Sequence, residues 1–221
     1  MTYRRPLIVT GEIYHVYNKS IASESIFKET SDLNKILNIV DFYRYDQKIR
    51  LSIYNKMNFL IQNAYIKKVK DSAPLIDIYA HSFMPNHYHF LLKQLADFGV
   101  KRFISNIQNS FAKCFNLINN REGSLFLNSF KCKRITNEEE LLHACRYIHL
   151  NHVTSYLIDF EDLANYPYSS YSWYINKDLN KFVNTDLITS YFKSIDSFKK
   201  FHQNQVDYQR KLKKIKDLLI D

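Results

Sequence analysis

The stretch LIDIYAHSFMPNHYHFLLK, residues 75–93, decides the fold predicted for this chain. Both halves are rich in apolar, aromatic and β-branched residues, as strands are, and the dipeptide Pro85-Asn86 between them is a turn signal. The stretch therefore predicts two antiparallel strands joined in a hairpin. Since residues two apart on a strand point to the same face, His87 and His89 are expected to project together, with Tyr88 on the opposite face in the core.

The segments around this hairpin predict two further strands and three helices. Residues 11–18 and 129–135 are strand-like, whereas apolar residues recur at helical spacing over 33–40, 100–115 and 137–151. The element order is then strand, helix, two strands, helix, strand, helix. This order predicts an α+β domain whose antiparallel sheet has its helices packed on one face.

The chain of 221 residues suits one domain of ordinary size with an appendage. We assign residues 1–175 to the main domain and, within it, residues 44–73 to a partly helical insertion that mixes Lys, Asn and Tyr with apolar residues. Residues 176–221 are predicted to form a helical C-terminal extension that ends in the basic run RKLKKIK. That run either contacts DNA or is a solvated helix end, and the sequence favours neither.

The charge and aromatic content suit a nucleic-acid partner. The formal net charge is +9, from 31 Lys and Arg against 22 Asp and Glu, and aromatic residues make up 15%. Single-stranded nucleic acid fits such a surface, because its phosphates attract cations and its bases stack on aromatic rings. A solvated Lys-rich surface explains the charge equally well. With Gly at only 3 positions and no G-x-x-x-x-G-K-[ST] or G-x-G-x-x-G motif, the sequence argues against a mononucleotide or dinucleotide site.

The cysteine pattern and the hydropathy predict a cytoplasmic protein without a membrane partner. The cysteines, Cys114, Cys132 and Cys145, form no C-x-x-C pair, and their odd number argues against a disulfide framework. The N-terminus has no apolar h-region, and no apolar run is long enough to span a bilayer.

The two histidines of the hairpin are candidate metal ligands. On one face of a strand, His87 and His89 are close enough to share an ion, although two unrelated surface histidines are the commoner outcome of an H-x-H pattern. Two ligands leave the site incomplete, so a third has to come from another element.

The predicted helix at 137–151 offers that third ligand. Thr136 and Glu139 fit a capping box, T-x-x-E, that would open this helix. Tyr147 and Asn151 are four residues apart and share a helical face. By itself, however, a helical tyrosine is more often a half-buried core residue with a solvated hydroxyl.

Four segments, in order along the chain, resemble the REP-associated tyrosine transposases, a branch of the single-tyrosine HUH (IS200-like) transposase family. They are YHVYNKSIASESIF at 14–27, MPNHYHFLL at 84–92, LFLNSFKCKRITNEEELLHACRYIHLNHV at 125–153 and YPYSSYSWY at 166–174. The MPNH-x-H-x-LL and RYIHLN motifs carry most of the resemblance. The resemblance implies a ferredoxin-like fold, in agreement with the element order above.

The resemblance also implies a metal-dependent site. In that family the H-x-H pair binds the metal, which implies His87 and His89, and the tyrosine that opens YIHLN is the nucleophile, which implies Tyr147. Asn151, four residues later, would be the third metal ligand. Imidazole and amide donors admit a divalent metal, Mg²⁺ or Mn²⁺, and Mn²⁺ accepts imidazole more readily.

The function implied by the resemblance is that of a DNA nicking and strand-transfer enzyme. It would cleave single-stranded DNA, form a 5′-phosphotyrosine intermediate and act on hairpin-forming repeats, as a monomer or a homodimer. The alternative is a domesticated nucleic-acid-binding protein without cleavage activity. A zinc hydrolase is a weaker alternative, because the H-E-x-x-H motif is missing.

Five basic residues are candidate DNA contacts, although a solvated charge is the ordinary role of each one. They are Arg102, Lys131, Lys133, Arg134 and Arg146.

Overall fold

The computed structural model describes residues 7–211, in which four strands form one antiparallel sheet. The strands lie in the order β2–β3–β1–β4, so β1 and β3 are central. Strands β2 and β3 form the predicted hairpin, with Met84 paired to His87 across the Pro85-Asn86 turn. The strand bounds are β1 Ile13–Lys19, β2 Ile76–Met84, β3 His87–Gln94 and β4 Lys131–Ile135.

The helices complete a ferredoxin-like arrangement. The order β1, α1, β2, β3, α4, β4 is that of a β-α-β-β-α-β unit, which confirms the predicted α+β class. Residues 44–73 contain the helices α2 and α3, as predicted in part, and their assignment as an insertion stays a prediction. No helix within the described range is long and apolar enough to cross a membrane. The helix bounds are α1 Thr30–Tyr43, α2 Leu51–Tyr54, α3 Phe59–Lys70, α4 Gly99–Ile118, α5 Glu138–Thr154, α6 Tyr171–Ile175, α7 Asp186–Thr189 and α8 Ile195–Gln203, and residues 206–211 are also helical.

The two faces of the sheet carry different helices. On one face, Phe90 of β3 meets Phe103 of α4, with ring centroids 5.8 Å apart, and α1 packs beside α4. On the opposite face, His89 of β3 meets Tyr147 of α5. The prediction of helices on one face therefore holds for α1 and α4 but not for α5. The reason is that α5 has an apolar stripe of its own to bury, formed by Leu141, Ala144 and Ile148.

Helix α5 is capped one residue later than predicted. The N-cap residue is Asn137, whose side-chain oxygen accepts a hydrogen bond from Glu140 N at 2.8 Å. The Glu140 carboxylate in turn accepts from Thr136 N at 2.9 Å and from Thr136 Oγ1 at 3.0 Å. The predicted capping box of Thr136 and Glu139 is therefore wrong by one position, because Asn137 supplies the short side chain and extended backbone that a cap requires.

The described part of the C-terminal extension packs against α5. His202 of α8 is fully buried, and its Nε2 lies 3.0 Å from Nδ1 of His149 on α5. Arg146, also on α5, has its guanidinium carbon 4.3 Å from the ring centroid of Phe201. The predicted basic run RKLKKIK continues past residue 211 and so lies mostly outside the described residues.

Candidate active site

His87 and His89 lie side by side on the face of the sheet that α5 covers. They are alternate residues of β3, paired across the sheet with Lys19 and Tyr17 of β1. Their ring centroids are 5.1 Å apart and their planes are at 80°. Two imidazoles at this separation can both reach one ion at a nitrogen–metal distance of about 2.1 Å. The His87 Nδ1 donates to Asn86 Oδ1 at 2.6 Å.

A third imidazole, that of His15, lies beside His89 and forms a row with His89 and His87. The sequence motifs did not single out this residue. His15 Nε2 and His89 Nδ1 lie 2.9 Å apart and share one hydrogen bond. Burial, and to a lesser degree the charge of Lys133, lowers the pKa of His15 to about 4, so this ring is neutral at pH 7. The available signal was the pattern His15-x-Tyr17 on β1, which alternates in the same way as the H-x-H pair.

Tyr147 stands over the row of imidazoles. Its ring meets His89 edge-on with centroids 5.7 Å apart, and it meets His15 at 5.8 Å. Its side chain is 37% exposed, so the ring packs on the sheet while a substrate can still approach it. Burial, and then the proximity of Tyr17, raises the pKa of Tyr147, which makes it a neutral phenol at pH 7.

Asn151 follows Tyr147 by one turn of α5 and is 5% exposed. Its side-chain Nδ2 is buried and has no hydrogen-bond partner among the described residues. An unpaired buried amide is costly, and the nitrogen and oxygen of a side-chain amide are assigned only from their partners. With the amide turned over, its oxygen would occupy the unpartnered position and could bind an ion.

The residues present fit the donor set of a divalent metal. Within residues 7–211, no group of three His, Cys, Asp or Glu side chains is placed to hold an ion. A site here would therefore need an amide donor beside two imidazoles, which is the set His87, His89 and Asn151. The unpartnered amide of Asn151 is the observation that supports this set.

A cavity of about 500 Å³ opens beside Tyr147. This volume lies in the range of small-ligand sites. The cavity combines imidazoles, phenols, carboxylates and a lysine, so it can both accept and donate hydrogen bonds. Its polar lining consists of His15, Tyr17, His89, Lys133, Glu139, Glu140, His143 and Tyr147.

Two of the predicted DNA contacts lie at this site. Lys131 and Lys133 of β4 pair with Tyr17 and His15 of β1, so they belong to the same face of the sheet. Lys131 is exposed, whereas Lys133 lines the cavity and its Nζ donates to Glu140 Oε1 at 3.3 Å. Both lysines therefore lie on the face of the sheet that α5 covers.

The other three predicted DNA contacts are directed elsewhere. Arg134 pairs with Glu12, with 2.6 Å between Nη2 and Oε1, and the alternation of β4 sets it on the opposite face from Lys133. Arg146 stacks on Phe201 of the C-terminal extension. Arg102 lies on α4, across the sheet from α5, and is ion-paired with Asp46 in the insertion. Each guanidinium therefore already contacts a carboxylate or an aromatic ring of the folded chain.

Comparison with known proteins finds a transposase family. The family model described as transposase IS200 like matches residues 47–151. The family resemblance is confirmed. The IS200-like match contains His87, His89 and Tyr147 and ends at Asn151, but it leaves out β1 and therefore His15. No curated protein gives a significant sequence match.

A solved transposase structure shares the fold of this chain. The structure of a REP-associated tyrosine transposase bound to a REP hairpin has 14% sequence identity and a TM-score of 0.51, covering 82% of this chain and 89% of that one. A candidate transposase from Deinococcus radiodurans R1 also has 14% sequence identity, with a TM-score of 0.37. That match covers 67% of this chain and 95% of the other one. At this level of identity the first likeness concerns the fold alone.

Proposed function

We propose that this chain is a metal-dependent endonuclease and strand transferase for single-stranded DNA, with Tyr147 as its nucleophile. The observation that carries the proposal is the edge contact of Tyr147 with His89, at 5.7 Å between ring centroids. It joins the one tyrosine and the histidine pair that the transposase motifs single out, although they come from α5 and β3.

The proposed step is a transesterification. Tyr147 Oη attacks the scissile phosphorus, an oxygen–phosphorus bond to tyrosine forms, and the bond from phosphorus to the 3′ oxygen breaks. The phenol loses its proton, and the departing 3′ oxygen takes one up to become a hydroxyl. Because the 5′-phosphotyrosine keeps the bond energy of the phosphodiester, a 3′-hydroxyl can attack it later and rejoin two strands without ATP.

The phenol has to be activated at the moment of attack. Since burial raises the pKa of Tyr147, little phenolate exists at pH 7. Neutral imidazoles are suitable proton acceptors, and His143, whose pKa is lowered mainly by burial, lines the cavity beside the phenol. His87, His89 and Asn151 would hold the ion, and a bound Mg²⁺ or Mn²⁺ supplies polarisation of the scissile phosphate.

The proposed substrate is single-stranded DNA next to a hairpin. Lys131 and Lys133 offer phosphate contacts along β4, on the face that carries Tyr147. The relative with the TM-score of 0.51 was solved with a REP hairpin, and repeat DNA of that shape is the substrate we propose here. Proteins of this kind that act on single strands combine such cations with aromatic surfaces for base stacking.

The decisive test replaces Tyr147 by Phe, which removes one oxygen and little volume. The variant should fold and bind DNA as before but form no covalent protein–DNA adduct, which denaturing gels and mass spectrometry of the trapped peptide can check. The control is Tyr208→Phe, since Tyr208 is 56% exposed and outside the cavity, and it should form the adduct at the parental rate. An adduct on another tyrosine refutes the assignment, and a parental protein that binds DNA without any adduct favours the non-cleaving alternative.

A further inference from the structure

A second cavity, of about 710 Å³, lies across the sheet from Tyr147. Its walls come from α1, from α4 and from residues 50–55 of the insertion, and it shares no lining residue with the cavity at the active site. We call this cavity the insertion groove. Because the insertion forms one wall, this site depends on residues 44–73 and is separate from the one at α5.

The charges in the insertion groove have one sign. Its lining includes Lys35, Arg50 and Lys113 and contains neither Asp nor Glu. Lys35 donates to Asp32 at 3.3 Å, whereas Arg50 and Lys113 are exposed and have no ion pair within the described part of the chain. Unneutralised cations on the walls of one groove concentrate the positive potential there and attract an anion.

The remaining polar lining suits phosphate oxygens. It consists of asparagine and serine side chains together with a buried tyrosine, Tyr43. Asparagine, serine, lysine and arginine are the residues that contact the sugar–phosphate backbone of DNA. Tyr43 is not available as a stacking platform, because it is 7% exposed and its hydroxyl accepts from Leu51 N at 3.2 Å. The groove therefore offers backbone contacts without base stacking.

We propose that the insertion groove is a second DNA-binding site, which holds the phosphodiester backbone of DNA that extends from the strand at Tyr147. This rests on the proposed function, since it concerns the same substrate. The two sites lie on opposite faces of the sheet, so only DNA long enough to pass an edge of the sheet occupies both. The groove raises affinity for long DNA without reading its sequence, and Arg50 and Lys113 carry the contacts.

The salt dependence of binding tests this proposal. The Arg50→Gln/Lys113→Gln double variant is made in the Tyr147→Phe background, so that cleavage does not disturb binding to a long hairpin-bearing strand. Because the double variant cannot neutralise two of the phosphates, its slope of log K against log salt should be shallower by about 1.4, at about 0.7 for each phosphate. A short oligonucleotide confined to the cleavage site should bind as it does to the Tyr147→Phe protein.

A matched control separates the groove from net charge. Lys193→Gln/Lys200→Gln also removes two exposed cations, but from outside both cavities, and it should keep the original slope. An unchanged slope in the groove variant, or an equal change in the control, overturns the proposal. A covalent adduct that still forms in Tyr147→Phe would overturn the proposed function without affecting the groove proposal. If the protein binds no DNA at all, both the proposed function and the groove proposal are overturned.

The groove also contains a natural reporter, Cys114. The other two thiols react poorly, because burial raises the pKa of Cys132 to about 12 and also raises the pKa of the buried Cys145. Alkylation by iodoacetamide therefore reports on Cys114. Long DNA should slow this alkylation, and the protection should disappear in the groove variant. Equal alkylation with and without long DNA contradicts occupancy of the groove.

Discussion

At the scale of single residues, the site depends on how three elements bring rings together. Strand alternation sets His15 of β1 and His89 of β3 on one face, and the register of the two strands brings their nitrogens to 2.9 Å. A metal-binding histidine commonly uses its second ring nitrogen for such a hydrogen bond, which fixes the tautomer and the ring orientation. In the proposed metal site His89 would bind the ion through Nε2, and His15 would be a positioning residue for His89.

The role of His15 can be measured without DNA. His15→Phe keeps a ring but removes both nitrogens, and it should weaken Mn²⁺ binding by about 10–100-fold, the usual effect of removing such a partner. His15→Gln keeps a hydrogen-bonding group and should restore part of the affinity. Calorimetric titration with Mn²⁺ gives the comparison. Equal affinity in parental protein and His15→Phe rules out the positioning role, and no Mn²⁺ binding by the parental protein rules out the metal site.

At the scale of elements, the capped start of α5 fixes the helix that positions Tyr147 and Asn151. Asn137 caps the helix, and the Glu140 carboxylate accepts hydrogen bonds from Thr136. The backbone hydrogen bond from Thr136 is the largest cause that lowers the pKa of Glu140. The first turn also carries acidic residues, which interact favourably with the positive end of the helix dipole. This end is well anchored, about three turns before Tyr147 and about four before Asn151.

Removing the cap should cost stability. Asn137→Ala leaves the Glu140 amide without its acceptor, and the free energy of unfolding should fall by about 1 kcal/mol. Asn137→Ser keeps an acceptor and should remain close to the parental value. Urea unfolding of the three proteins provides the measurement. Equal stability of the Ala and Ser variants would show that the cap does not contribute to the fold.

At the scale of the whole molecule, buried histidines link α5, the sheet and the C-terminal extension. His81 and His202 are fully buried, and burial is the main cause that lowers the pKa of each to about 3. His202 faces His149 and the positive Arg146, and its Nδ1 donates to the Phe198 carbonyl at 2.9 Å. Each ring is therefore held neutral inside the fold.

The chain should lose stability in mild acid. A histidine with a pKa near 6.5 when unfolded and near 3 when folded binds its proton first in the unfolded state. The stabilisation is complete above pH 6.5 and is lost as the pH falls toward 3, by about 1.4 kcal/mol per pH unit for each histidine. Urea unfolding over this pH range measures the slope. His202→Gln should have a shallower slope than the parental protein, and equal slopes would contradict the assignment.

Some features were predictable because they depend on neighbours in the sequence. The hairpin, the shared face of His87 and His89 and the helix of Tyr147 follow from alternation, turn residues and helical spacing within short segments. The cap of α5 was misplaced by one residue, since Thr136 and Asn137 are both acceptable caps and only the backbone conformation distinguishes them.

The sequence by itself determined the α+β class, the hairpin, the transposase resemblance and the candidate residues at 87, 89, 147 and 151, because local periodicity and motifs record them. Only the tertiary structure brought His15 to His89, 74 residues away, since strand register sets that contact. The tertiary structure also pairs Arg102 with Asp46 and forms the insertion groove on the opposite face of the sheet. The physical reason is that pairing of charges and rings between distant segments depends on how the elements pack, and composition alone contains no record of which partners meet.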